Sequence, residues 1–293
     1  MKNGNRESEK RKTESRLKIG APERRALREE LAAGLNRRNF IKRGALFVPG
    51  FFIPRLIRAQ SVLTANGLAG FIPPATAPGG GGGGGTYSLI DHNTASASAT
   101  GTATTPALNT TGASLLIVGI SWFSGTPTVS DSKGNSWTGL TSFKDSVSNI
   151  LFSRFYHCIS PSSVGGGHTF SVTSTSVGYC VINVAAFALS SGTPAFDTQN
   201  GTSPNETSVS SMTGGSVTPA GSNELFLAMV TWHTVGVTVS INSSFAITNQ
   251  KDEGEGISGA LAYKIQTTGG AENPTWTPTT SQTIWSAANA VFK

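Results

Sequence analysis

The chain has 293 residues, enough for one large domain or two small ones, and only 13% of them are charged while 35 are glycine, which excludes a long charged coiled coil. No apolar run reaches the ~18 residues that cross a bilayer as a helix. The net charge of +6 would suggest a nucleic-acid or membrane partner, but residues 1–60 carry 16 of the 22 Lys+Arg and 6 of the 16 Asp+Glu, a net of +10, and residues 61–293 are left at −4. A body with more anions than cations offers no basic groove for nucleic acid.

Residues 1–38 are polar and basic, with a helix-like patch over 23–35. Asn36-Arg37-Arg38-Asn39-Phe40-Ile41-Lys42 then precedes an apolar stretch of 11 residues, 44–54. That is too short to span a membrane and of the length found in the middle of an export signal. Ala59 stands where a cut would fall. Arg37, Arg38, Phe40 and Lys42 resemble the twin-arginine export signal of bacteria. The chain departs from that pattern at Asn36, where Ser or Thr is usual, at Pro49 and Pro54 within the apolar stretch, and at the large Ile57 before the cut. The resemblance implies a periplasmic or extracellular protein that folds before it is exported. The alternative is a basic arm, residues 1–60, that stays attached and docks on a surface or an assembly partner.

Residues 61–78 are small, apolar and proline-containing, and Gly79 to Gly85 are seven consecutive glycines. Such a run loses much backbone entropy on ordering and gains no packing, so it reads as a tether of roughly 15 Å. The linker is therefore 61–85 and the folded body 86–293.

From residue 86 onward short runs rich in Val, Ile, Thr, Phe and Tyr alternate with Gly, Ser, Asn and Pro turns, the pattern of an all-β sandwich or barrel. Strands are predicted over 87–92, 114–123, 126–130, 136–141, 149–158, 168–174, 179–189, 224–233, 237–241, 245–249, 259–266 and 283–292. The body is also written twice, about 111–189 and 220–293. Trp122 matches Trp232 at an offset of 110, Trp137 matches Phe245 at 108, Tyr156 matches Tyr263 at 107, Phe170 matches Trp276 at 106 and Phe187 matches Phe292 at 105. The monotonic drift is what short loop deletions in a duplicated unit produce. In the first unit Leu116, Val118, Ile120 and Trp122 share one strand face, and Leu115, Ile117 and Phe123 the other. A strand apolar on both faces lies inside a larger assembly. The expectation is a jelly-roll-like, two-sheet sandwich made of two similar halves, with two separate sandwiches joined by 190–222 as the alternative.

Cys158 and Cys180 are the only cysteines. In an exported chain they suggest a disulfide, stabilising by roughly 3 kcal/mol; otherwise they are small buried core residues. The histidines His92, His157, His168 and His233 form no metal-ligand spacing, and neither a nucleophile elbow nor a Cys-x-x-Cys occurs. His168 and His233 read as surface residues at strand ends. Two oxygen-rich turns are weak calcium candidates: Asp131 with Asn135, read otherwise as a bulged hairpin turn, and Asp252, Glu253 and Glu255, read otherwise as a solvated hairpin tip. No other cofactor is implied. Trp122 and Trp232 each close a strand beside a loop, where an indole can stack on a sugar face and His233 can hydrogen-bond to it; the alternative is that both tryptophans are core.

The phrases Val129-Ser-Asp-Ser-Lys-Gly-Asn-Ser-Trp137 and Gly167-His-Thr-Phe-Ser-Val-Thr173 resemble the β-sandwich modules of exported bacterial surface proteins and of phage tail or receptor-binding proteins. That resemblance implies attachment or recognition and carries over no catalytic residues. The expected function is thus non-enzymatic adhesion to a glycan or another surface polymer. A structural protein of a phage-like particle is the second expectation, and a polysaccharide hydrolase or lyase using Asp131 and Asp197 the third.

Overall fold

The computed structural model of the chain describes residues 85–98, 101–174, 179–204, 208–254 and 256–293. The export motif at Arg37, Arg38, Phe40 and Lys42 lies outside them, as does all of the glycine run before Gly85. The first half of the body is β1 (Tyr87–Ala97), β2 (Thr102–Thr104), β3 (Leu115–Phe123), β4 (Pro127–Asp131), β5 (Thr138–Gly139), β6 (Phe143–Lys144), β7 (Leu151–Ile159), β8 (Phe170–Ser174) and β9 (Cys180–Leu189). The second half is β10 (Phe196–Thr202), β11 (Met212–Thr213), β12 (Glu224–Trp232), β13 (Val239–Ile241), β14 (Ala246–Asp252), β15 (Ser258–Gln266), β16 (Thr275–Pro278) and β17 (Trp285–Phe292).

The two halves repeat one topology. A large antiparallel sheet runs β1-β9-β3-β7-β5, with β6 also on β7, and its counterpart runs β10-β17-β12-β15-β14. Small sheets run β2-β8-β4 and β11-β16-β13. The registers agree residue by residue: Leu115 faces Phe187 as Leu225 faces Phe292. Even the bulges agree, between Leu89 and Asp91 in β1 and between Phe196 and Thr198 in β10. The second half therefore starts at β10, inside the stretch 190–222 that reads as a connector from sequence. Only residues 190–195 separate β9 from β10.

One sequence match is corrected. Val118 opposes Tyr156, but its counterpart Ala228 opposes Ala262, so Tyr263 matches His157. A slip of one residue sends a strand's side chains to the opposite face.

The body is an all-β sandwich, as its turn spacing and strand composition predict, and its described residues form four sheets where two were expected. Each large sheet packs one face on its own small sheet. Leu116, Val118, Ile120, Phe170, Val172, Ile182 and Val184 fill the first of these cores, and Phe226, Val230, Met212, Trp276 and Val291 belong to the second. The other face of each large sheet packs on its duplicate. Leu115, Ile117, Phe155 and Phe187 meet Leu225, Leu227, Met229, Leu261 and Phe292 there. A strand apolar on both faces needs two covers, and a single small sheet supplies one.

The two large sheets are related by a pseudo-twofold axis running along the strands. Equivalent residues meet each other: Ser121 Oγ lies 2.6 Å from Thr231 Oγ1, and Gly119 sits against Met229. Edge strand β1 lies over β14, and β6 over β10, as an isologous contact requires. Ser153 Oγ bonds both Thr231 Oγ1 and Ser286 Oγ at 2.7 Å. The four fully buried hydroxyls thereby satisfy one another within an apolar seam. Gly259 leaves room for this chain, because a Cβ there would stand 2.4 Å from Ser121 Oγ.

The cysteines are free and buried. Cys158 opposes Leu116 on one side of β3, and Cys180 opposes Trp122 on the other. Six residues of strand separate those positions by about 20 Å, far beyond the roughly 4.4–6.8 Å between the Cα atoms of a disulfide. Burial pushes the Cys158 thiol up to about 11 and also raises that of Cys180, which keeps both in the unreactive thiol form. A thiol reagent applied at neutral pH is expected to find no reactive group in the native chain and two after denaturation without reductant. One or none after denaturation would contradict this geometry.

Candidate functional site

The central strands β3 and β12 finish at the same end of the body, since Phe123 meets the His233 ring at 5.3 Å. Antiparallel pairing brings the starts of β7, β9, β15 and β17 there too: Leu151 opposes Phe123, Cys180 opposes Trp122, and Ser258 and Trp285 both oppose Trp232. Three of the four exposed large hydrophobic residues described lie in loops at this end: Val147 (49% exposed), Ile150 (36%) and Val235 (45%).

The loop carrying Val147 and Ile150 is held from beneath by one carboxylate. Asp145 is fully buried. Its Oδ1 accepts from Ser148 N (2.6 Å), Ser148 Oγ (2.7 Å) and Asn149 N (3.1 Å), and its Oδ2 from Ile150 N (3.0 Å) and Leu151 N (2.8 Å). Burial pushes this carboxyl's pKa up, but donors led by Leu151 N and Ser148 more than offset it, and the net shift is downward. Asn149 takes a left-handed φ of 60° in the same turn, a conformation Asn tolerates. Ser146 N also donates to Pro204 O of the second half at 3.1 Å.

The counterpart hairpin joins β14 to β15. Glu253 N bonds Ile257 O as Asp145 N bonds Leu151 O, both at 2.9 Å. Asp252 accepts from Gly254 N and Gly236 N, which ties the hairpin tip to the loop of Val235. Between them His233, Thr234, Val235, Gly254 and Gly256 line an open depression of about 450 Å³.

Of the residues expected to contact a sugar, Trp122 and Trp232 by stacking and His233 by hydrogen bonding, only His233 reaches this surface. Trp232 is fully buried and Trp122 nearly so at 4% exposed. Trp122 stacks on Phe152 at 5.0 Å and donates to Gly125 O at 3.2 Å. Both indoles belong to the sandwich cores, because their positions in β3 and β12 point to the small sheets. Val147, Ile150 and Val235 went unnoticed in the sequence. The available signal was an apolar residue inside a turn, Ser- and Asn-rich around Val147 and Ile150 and Thr-Val-Gly at Val235, where no core can use it.

The turn of Asp131 and Asn135 is not a hairpin, since β4 pairs with β8. Asp131 Oδ1 accepts from Lys133 N (2.8 Å) and meets His168 Nε2 at 3.0 Å, while Oδ2 accepts from Trp137 Nε1 at 2.8 Å. Asn135 Oδ1 accepts from Ser163 N at 3.0 Å. These oxygens face donors, the setting of an enclosed anion and not of a cation site. His168 is fully buried and not a surface residue; Thr110 Oγ1 lies 2.8 Å from its Nδ1. This hydroxyl–imidazole–carboxylate chain is enclosed, with Thr110 also at 0% exposed, so no substrate reaches it. In the second half Ile241, Pro274 and Phe245 hold the places of Asp131, His168 and Trp137, so the fold itself is indifferent to the polar set.

Among the described residues no three His, Cys, Asp or Glu side chains converge as metal ligands; Glu255 lies outside the described residues. Of the remaining histidines, His157 is wedged against Phe196 and Phe292 in the seam and its pKa is lowered by burial. His92 Nδ1 meets Asn249 Oδ1 at 3.0 Å. Asp197 and Asp131 lie in different halves and form no acid–base pair.

Asp197 instead lies at the opposite end of the body, near Glu224 and Lys293. There a cleft of about 380 Å³ is lined by Gly85, Ser191, Asn223, Glu224 and Lys293, among others. Gly85 is packed and belongs to the body, since a Cβ on it would stand 2.4 Å from Ser191 O. Comparison with protein-family models, curated proteins and solved structures finds no match to this chain.

Replacing Asp145 by Ala leaves several backbone donors without a partner and is expected to cost about 2–3 kcal/mol in urea unfolding. Because the folded carboxyl titrates below its unfolded value, its contribution is present at neutral pH and lost as pH falls through the folded pKa. The deficit of Asp145→Ala should therefore be largest at neutral pH and shrink as the parent is acidified. An equal deficit at every pH would refute the assignment.

Proposed function

We propose that the protein is an exported, non-enzymatic recognition module that binds a glycan or another surface polymer through the loops at the Val147–His233–Val235 end. One observation carries this reading. Apolar tips on firmly hydrogen-bonded loops are gathered at one end of the body, while residue 85, where the glycine run joins it, lies at the other. A displayed module is served by that polarity, with the tether behind and the contact loops in front. Rigid sandwiches commonly carry recognition on end loops. Val147, Ile150 and Val235 supply apolar area for a sugar face or polymer backbone, and His233 and Thr234 supply hydrogen bonds beside it.

The export reading rests on Arg37, Arg38, Phe40 and Lys42, and the protein is proposed to be periplasmic or displayed at the cell surface. Recovery from a phage-like particle with residues 1–59 intact would favour the assembly role instead.

The triple variant Val147→Asp, Ile150→Asp, Val235→Asp changes only exposed positions, so its unfolding midpoint should stay near that of the parent. Its binding on a glycan array or to whole cells should fall at least tenfold, equivalent to ~1.4 kcal/mol. Full retention of binding by the variant would refute this site, and a parent protein with neither array hits nor adhesion would refute the reading itself.

A further inference from the structure

The cleft at the end of the body opposite the exposed loops holds three groups that the recognition surface does not use. Ala195 and Lys293 exchange both backbone hydrogen bonds, at 2.7 and 2.9 Å, which locks the start of β10 beside the end of β17. The bulge between Phe196 and Thr198 inserts Asp197 as an extra residue, and bulges re-aim side chains. Asp197 Oδ1 lies 3.3 Å from Lys293 Nζ, and its Oδ2 accepts from Ala220 N at 2.9 Å. Glu224, only 2% exposed, opens β12 beside them, and its Oε2 receives no hydrogen bond.

Burial first, and then the Asp197 charge, raise the Glu224 pKa, and the two carboxyl groups are within hydrogen-bond reach. A protonated Glu224 donating to Asp197 satisfies both observations. The first half has Ile90, Ser114 and Ala188 at the equivalent places, so the fold does not require this trio.

We propose that Lys293 Nζ and Asp197 Cγ condense to an intramolecular amide, with Glu224 as the acid beside the reacting carbonyl. The ammonium of Lys293 passes a proton to the Asp197 carboxylate, leaving an amine and a neutral carboxylic acid. The Glu224 O–H bonds the carbonyl oxygen and draws electrons from Cγ. The nitrogen lone pair forms the C–N bond, the C–OH bond breaks, and the hydroxyl leaves as water with a proton from nitrogen. Glu224 ends protonated, as it began. One amide and one water result, and no oxidant, cofactor or added reagent takes part. Proximity of the half-exposed Lys293 amine to the largely buried Asp197 carboxyl supplies the drive, a positioned acid assists, and the cleft gives the water an exit. The product ties the first strand of the second half to its last.

The test is the intact mass of the full chain, compared with the sequence mass from its observed N-terminus. The expected value is lighter by one water, and a tryptic digest should yield a branched peptide joining the Asp197 and Lys293 segments. Lys293→Arg and Asp197→Ala should restore the sequence mass, and Glu224→Gln should restore it wholly or slow the loss at least tenfold. A folded parent at the full sequence mass overturns the proposal, as does a water loss that persists in Lys293→Arg.

Discussion

The contact between the two large sheets is the interaction on which the rest of this body depends. β3, β7, β9, β12, β15 and β17 are apolar on both faces over most of their length, so each sheet would expose a broad apolar surface if its duplicate were removed. Burying a Leu, Ile, Phe or Met side chain contributes roughly 1.5–3 kcal/mol, and ten such side chains are buried in this seam, with others partly buried around them. The cost of breaking it exceeds the ~5–15 kcal/mol by which whole domains are stable. The halves therefore stand or fall together, although each has a sandwich core of its own.

That packing also decides where polar groups can lie. Within the seam the hydroxyls of Ser121, Thr231, Ser153 and Ser286 form a closed set, which spares each of them the cost of a buried unsatisfied hydroxyl. Within the first sandwich Asp131 and His168 are admitted on the same terms, ringed by Trp137, Thr110 and backbone donors. Their replacement by Ile241, Pro274 and Phe245 in the second half shows two solutions to one packing problem. The Asp131–His168 cluster is thus enclosed within the first sandwich, while among the described residues the exposed loops and the Glu224 cleft lie at the two ends of the strands.

The pseudo-twofold axis makes those ends unlike. Because it runs along the strands, equivalent loops of both halves gather at the same end and double the available contact surface. The duplication has since diverged: Asp145 fixes one hairpin, while Asp252 ties the matching hairpin to a neighbouring loop. At the other end only the second half keeps two carboxyls and a lysine in contact. Duplication supplied the frame, and substitutions at a few loop and strand-end positions gave each end its own character.

The sequence alone determined the all-β class, most strand positions, the duplication and the separation of a basic segment, residues 1–60, from an acidic body. Each is a local property of spacing, turn chemistry or charge count. It also showed that strands such as β3 are covered on both sides. It could not say by what, because the cover for Leu115 and Ile117 comes from residues more than a hundred positions away. The same distance hid the fate of the candidate residues. Trp122 beside a loop looks half exposed until β7 and the small sheet close over it, and Cys158 and Cys180 look paired until β3 is placed between them. His168 looks like a surface residue until Asp131 and Thr110 are brought to its two ring nitrogens. Exposure and pairing are set by which strands become neighbours, and that choice is made by the whole apolar pattern at once, so only the tertiary structure decided them.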